Sequence, residues 1–91
     1  MARRYYVTGR VQGVGYRFFA RGAAERHGIS GSVRNLRDGR VEVYAMGTDA
    51  QLAAFLADLQ RGPRTALVES VVGADAELLP RLASGFSIDG D

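Results

Sequence analysis

The stretch Gly9-Arg10-Val11-Gln12-Gly13-Val14-Gly15-Tyr16-Arg17 holds residue types suited to gripping an oxyanion. It follows a strand-like run and opens a helix-like one. Its glycines let backbone N–H groups converge on one point with no side chain in the way. The helix that follows adds unpaired N–H donors and the positive end of its dipole. Arg17, at the start of that helix, brings a planar and permanently charged fork to the same point. Gln12, Gly13, Val14, Gly15, Tyr16 and Arg17 together describe a backbone cradle, and a phosphoryl group is the oxyanion that fits it best. The same glycines also suit a plain strand-to-helix turn with nothing bound. Arg17 weighs against that reading, because a cation at a helix N-terminus is unfavourable unless an anion offsets it.

Two better-known glycine loops are excluded. A Walker loop needs Gly-Lys followed by Ser or Thr, and all twelve cations of this chain are arginine. A dinucleotide fingerprint needs a third glycine where Phe18 stands. The second chemical candidate is Asn35, whose carboxamide both donates and accepts and so suits the orientation of a water molecule. An asparagine near a turn equally serves its own backbone, and position alone favours that role here.

These residues need elements to hold them. Tyr5 to Val11 reads as a strand from its aromatic and β-branched content. Over Tyr16 to His27, Phe19, Ala20, Ala23 and Ala24 recur at helical spacing, Arg21 and Glu25 form an i,i+4 pair, and Gly28 supplies the stop. Gly22 weakens this helix, which implies a close neighbour at that point. Gly31–Leu36 and Arg40–Met46 read as strands joined at Asp38-Gly39, a type I′ hairpin signal. Thr48 and Gln51 form a capping box before a helix whose stripe is Leu52, Phe55, Leu56 and Leu59, ended by Gly62-Pro63. Leu67–Val72 reads as a strand whose valines do not alternate, and Phe86-Ser87-Ile88 as a short closing strand. Residues 77–84 follow no regular pattern. The order is βαββαβ plus a tail strand: an α+β, ferredoxin-like sandwich, with an antiparallel sheet and two helices on one face. In it the first and third strands are central, and Asn35 comes within reach of the first helix's start, 18 positions from Arg17 in sequence.

A chain of 91 residues makes one domain, residues 1–91, with a modest core. Its 46% hydrophobic and 24% charged content is ordinary for a globular protein. No apolar run is long enough to span a bilayer, and no secretory signal opens the sequence. The lack of cysteine excludes disulfides and thiolate chemistry and fits a cytoplasmic location. A net charge of +2, with acids and bases interspersed, is a poor footprint for nucleic acid.

Two long stretches in order resemble the signatures of the acylphosphatases: residues Gly9 to Arg17, and Gly31-Ser32-Val33-Arg34-Asn35-Leu36-Arg37-Asp38-Gly39-Arg40-Val41-Glu42. Gly62-Pro63 with Ala66 and Val68, and the terminal Gly85-Phe86-Ser87-Ile88, are also similar, so the resemblance spans nearly the whole chain. Ser32 departs from the bulky aromatic usual in that family, a change expected to alter packing and not chemistry. The resemblance implies hydrolysis of small-molecule acyl phosphates to a carboxylate and inorganic phosphate. By it, Arg17 matches the arginine that binds the phosphoryl group and Asn35 the residue that positions water. It also implies the ferredoxin-like fold and the absence of any metal or cofactor. A monomer, free of membrane or nucleic-acid partners, is expected.

Other residues carry less. His27 at a helix C-terminus is a capping residue, Asp38 a turn residue, and Asp49 and Asp58 solvated helix positions. No acids or histidine have metal-ligand spacing, and no serine has a histidine placed to activate it. Two rival functions stand beside the enzyme. A non-catalytic RNA- or anion-binding module would use Tyr5, Tyr6 and Tyr44 as a stacking platform, although the RNA signature is absent from the third strand. An accessory domain of a larger carbamoyl-transfer protein is the other, and the lack of a second domain here favours a free-standing enzyme.

Overall fold

The computed structural model describes residues 1–90; Asp91, the end of the expected domain, lies outside the described residues. The elements are β1 (Ala2–Arg10), α1 (Tyr16–Arg26), β2 (Ser30–Asn35), β3 (Val41–Met46), α2 (Asp49–Arg61), β4 (Leu67–Ala76), a single 3₁₀ turn (Pro80–Leu82) and β5 (Phe86–Asp89). They form one sheet in the order β4-β1-β3-β2-β5, with β5 parallel to β2 and every other pair antiparallel. This is the expected ferredoxin-like arrangement, with β1 and β3 inside.

Strand alternation decides which residues meet the helices. Tyr5 and Val7 of β1, Val33 of β2, and Val41, Val43 and Ala45 of β3 point to one face. There they bury Ala20, Ala23 and Ala24 of α1 and Leu52, Phe55 and Leu59 of α2. The three alanines let α1 lie close to the sheet, and the larger Leu and Phe side chains of α2 fill the wider space beside it. Thr48 and Gln51 cap α2 reciprocally, the Gln51 N–H donating to Thr48 Oγ1 at 3.1 Å and the Thr48 N–H to Gln51 Oε1 at 2.8 Å.

The uneven valines of β4 have a specific cause. Thr8 faces Ser70 while Gly9 faces Val68, so Glu69 is an extra residue in a β-bulge. The bulge resets side-chain parity and sends both Val68 and Val71 toward the core. Gly9 is required there, because a Cβ on it would lie 2.1 Å from the Leu67 carbonyl oxygen.

The helix-free face is covered in part. Ala2, Tyr44 and Met46 form a second small cluster under Leu79 and Leu82, and the Tyr44 hydroxyl donates to the Glu77 carbonyl at 2.6 Å. Residues 77–82, which have no readable pattern in sequence, thus strap the central strand β3.

Four local expectations are corrected. The β2–β3 turn is not type I′: no described residue other than glycine has positive φ, so Asp38 does not turn left-handed. The Gly39 N–H donates to the Leu36 carbonyl at 3.2 Å and the Leu36 N–H to Arg40 at 2.8 Å, a three-residue loop in which Gly39 alone turns left-handed. Asp38 supports it by accepting the Arg40 N–H at 3.1 Å. Arg21 makes no ion pair with Glu25 and instead stacks over Phe18, 5.3 Å from the ring centroid. Gly22 has no close neighbour, since an added Cβ would meet only an Arg26 nitrogen at 3.9 Å. Asp58 is not a solvated helix position. One carboxylate oxygen meets His27 Nε2 at 2.8 Å and Arg26 at 3.1 Å, and the other meets Arg61 at 3.0 Å, which ties the C-terminal ends of the two helices together. Burial alone would raise the Asp58 carboxyl, but its hydrogen bonds from His27, Arg61 and Arg26 hold it below the usual range.

Two outcomes are expected. Gly22→Ala should raise stability by about 0.5–1 kcal/mol, read as a higher urea midpoint; an unchanged or lower midpoint would contradict an open site on a regular helix. Asp58 has a lower pKa folded than unfolded, so its contribution is complete above the unfolded value near 4 and fades as pH falls through the folded one. Asp58→Asn should cost about 1 kcal/mol at pH 7. It should also make stability fall less steeply on acidification, as thermal melts between pH 7 and 3 would reveal.

Candidate active site

Between β1 and α1 the chain turns through Gly13 and Gly15, with φ of 74° and 81°. A Cβ at either position would touch nothing within 4 Å, so these glycines answer to backbone handedness and not to crowding. Gly15 is the N-cap of α1, and no side chain caps that helix or puts an acid in its first turn. The first bond across the helix start runs from the Phe19 N–H to the Gly15 carbonyl at 3.0 Å. Among the described residues, every N–H from Gln12 to Phe18 is without a protein acceptor. Such a row of donors at a positive helix end has the chemistry to receive an anion.

Three side chains hold the turn in place. Gln12 Nε2 donates to the carbonyls of Leu36 at 2.7 Å and Arg40 at 2.9 Å, which fastens the loop to the β2–β3 turn. The Tyr16 hydroxyl donates to the Leu59 carbonyl at 2.7 Å, which fastens the start of α1 to the last turn of α2. Tyr16 is 1% exposed, and burial pushes its phenol upward, so it stays a neutral donor. The Thr65 hydroxyl donates to the Val14 carbonyl. From the sequence, Gln12 and Tyr16 are expected to offer only their backbone groups, and Thr65 carries no signal at all. The Thr65 contact spans 51 positions, and no local pattern signals it.

Arg17 is the second residue of α1 and is half-buried. Arg3, Arg4, Arg26, Arg34, Arg40 and Arg61 all pair with carboxylates. Arg17 has neither an ion pair nor a side-chain hydrogen bond among the described residues. Asn35 ends β2 opposite Val41, which puts it on the helix-facing side of the sheet. Its Oδ1 is buried with no hydrogen-bond partner. It lines a cavity of about 300 Å³ with Gln12, Leu36 and Arg37. The end of β2 and the glycine loop are thus brought together, and Asn35 does not serve the turn, which Asp38 and the backbone close by themselves.

The remaining candidates fall elsewhere. His27 is the C-cap of α1 and is bonded to Asp58. Tyr5 and Tyr44 are each 2% exposed, on opposite faces of the sheet, and Tyr6 lies under the Arg40 guanidinium, so the three tyrosines form no open stacking platform. Among the described residues, no group of three or more His, Cys, Asp or Glu is arranged to hold a metal ion. No helix of the described residues is long and apolar enough to cross a membrane.

The chain is similar to known proteins in sequence and in overall fold. The family model described as acylphosphatase matches residues 3–88. A relative from Koribacter versatilis, named acylphosphatase, is 49% identical over 97% of this chain and 79% of its own length. One from Solibacter usitatus with the same name is 52% identical over 85% of this chain and 80% of its own. The crystal structure of acylphosphatase from Bacillus subtilis superposes with a TM-score of 0.91 at 34% identity, covering 98% of each chain.

Proposed function

The chain belongs to the acylphosphatase family, and from that premise we propose that the Gln12–Phe18 cradle and Arg17 bind the phosphoryl group while Asn35 orients the attacking water. Acyl phosphate hydrolysis is the family's reaction, and the enzyme is a hydrolase. The row of N–H groups lacking any protein acceptor carries the proposal, because an unsatisfied row is costly unless water or an anion meets it.

The chemistry asks little of the protein. The leaving group is a carboxylate, which departs without a general acid. Phosphoryl transfer depends mainly on positioning and on neutralising the charge of the equatorial oxygens. Backbone N–H groups and one forked cation supply that without rearranging during the reaction. The carboxamide of Asn35, on the wall of the cavity it shares with Gln12, hydrogen-bonds the water and leaves the water's lone pair for phosphorus. Water oxygen bonds to phosphorus as the bond from phosphorus to the acyl oxygen breaks, and the acyl group leaves with that electron pair as carboxylate. The surplus proton of the water passes to a phosphoryl oxygen, so no side-chain base is required.

With benzoyl phosphate and excess chelator, the purified protein should release phosphate at its full rate. Arg17→Ala should lower kcat/KM by about 10²–10³, and Arg17→Lys should recover little, because an ammonium cannot make two parallel bonds. A wild-type rate equal to that of Arg17→Ala would sink the proposal. Asn35→Ala should cut kcat while leaving competitive inhibition by phosphate nearly unchanged. Inhibition weakened in step with turnover would remove Asn35 from the water site.

A further inference from the structure

We infer that Thr65 is a positioning residue of this reaction: its hydroxyl locks the Val14–Gly15 peptide so that the Gly15 N–H faces the phosphoryl group. The inference rests on the function proposed above and adds to it a residue from a distant loop.

A peptide bond next to glycine is easily turned over. Rotating the Val14–Gly15 unit by half a turn changes ψ of Val14 and φ of Gly15, and glycine accepts φ of either sign. The Val14–Gly15 peptide is trans, so the carbonyl of Val14 and the N–H of Gly15 point in opposite directions. One orientation adds a donor to the row from Gln12 to Phe18. The other aims a carbonyl oxygen at an anion. Gly15 sits at φ 81° with nothing within 4 Å of its would-be Cβ, so no side-chain crowding at Gly15 fixes the choice. The Thr65 hydroxyl bond to the Val14 carbonyl does choose.

The fold brings Thr65 there deliberately. Gly62 ends α2, and Pro63 opens a turn closed by the Ala66 N–H to the Pro63 carbonyl at 3.0 Å, with Thr65 at its corner. That turn is pressed against the start of α1: a Cβ on Gly62 would lie 3.5 Å from the Tyr16 ring. Thr65 is itself exposed, so its side chain is not needed to fill the core.

The test compares Thr65→Val, which keeps the shape and removes the donor, with Thr65→Ser, which keeps the donor. Thr65→Ala is a second donor-free variant. Val and Ala should each lower kcat/KM on benzoyl phosphate by about three- to tenfold, the loss of one modest hydrogen bond. They should weaken inhibition by inorganic phosphate to a similar degree, and Ser should restore both. In ¹⁵N-labelled protein, phosphate should shift the Gly15 amide of wild type and Ser strongly, and that of Val and Ala weakly. Full phosphate affinity with an unaltered Gly15 response in Val and Ala would overturn the inference, as would Ser failing like Val. Arg17→Ala in the same assay separates the two levels. A loss of turnover in Arg17→Ala beside a wild-type Thr65→Val rejects the lock alone, whereas an inactive wild type rejects the proposed function beneath it.

Discussion

Left-handed backbone at Gly13 and Gly15 is the constraint on which the site depends. The chain turns left-handed at both, and the seven consecutive N–H groups from Gln12 to Phe18 have no protein acceptor among the described residues. A row of donors like this cannot satisfy itself, because the helix it opens starts bonding only at Phe19. The unmet demand is kept within reach of solvent, and the proposed phosphoryl group would meet it. Placing Arg17 one residue into the helix then opposes the helix dipole unless negative charge occupies the cradle.

A loop of permissive residues needs outside support, and the fold supplies it from three directions. Gln12 reaches the β2–β3 turn, Tyr16 reaches the end of α2, and Thr65 reaches back from the α2–β4 turn. Each support is a side-chain donor on a backbone carbonyl, which leaves the loop's own N–H groups unused. The βαββαβ order makes this possible. It sets β1 beside both β3 and β4 and puts α1 and α2 side by side over one sheet face, so three distant turns converge near the start of α1.

The rest of the molecule is arranged for rigidity. β3 is buried along its whole length, by the helices on one side and on the other by the strap of residues 77–82 over Tyr44 and Met46 and by Arg4 and Arg34 against Glu42. Asp58 gathers His27, Arg26 and Arg61 where the helices end. The sole histidine and the most heavily engaged acid therefore serve the scaffold, and the proposed chemistry uses only backbone amides, one guanidinium and one carboxamide.

Local pattern by itself determined the element order, the capping box at Thr48, the stop at Gly62-Pro63 and the residues of the glycine loop, because propensity, periodicity and turn chemistry act over a few neighbours. It also marked Arg17 and Asn35 as candidates, one by its place at a helix start and the other by resemblance. Tertiary structure alone decided the bulge that reconciles the valines of β4, the strap over β3, the burial of Tyr5 and Tyr44, and the engagement of Asp58. It alone revealed that Asn35 Oδ1 is buried without a partner and that Thr65 holds Val14 across 51 positions. These features depend on contacts between segments far apart in the chain, and such contacts leave no periodic trace in the residues that make them.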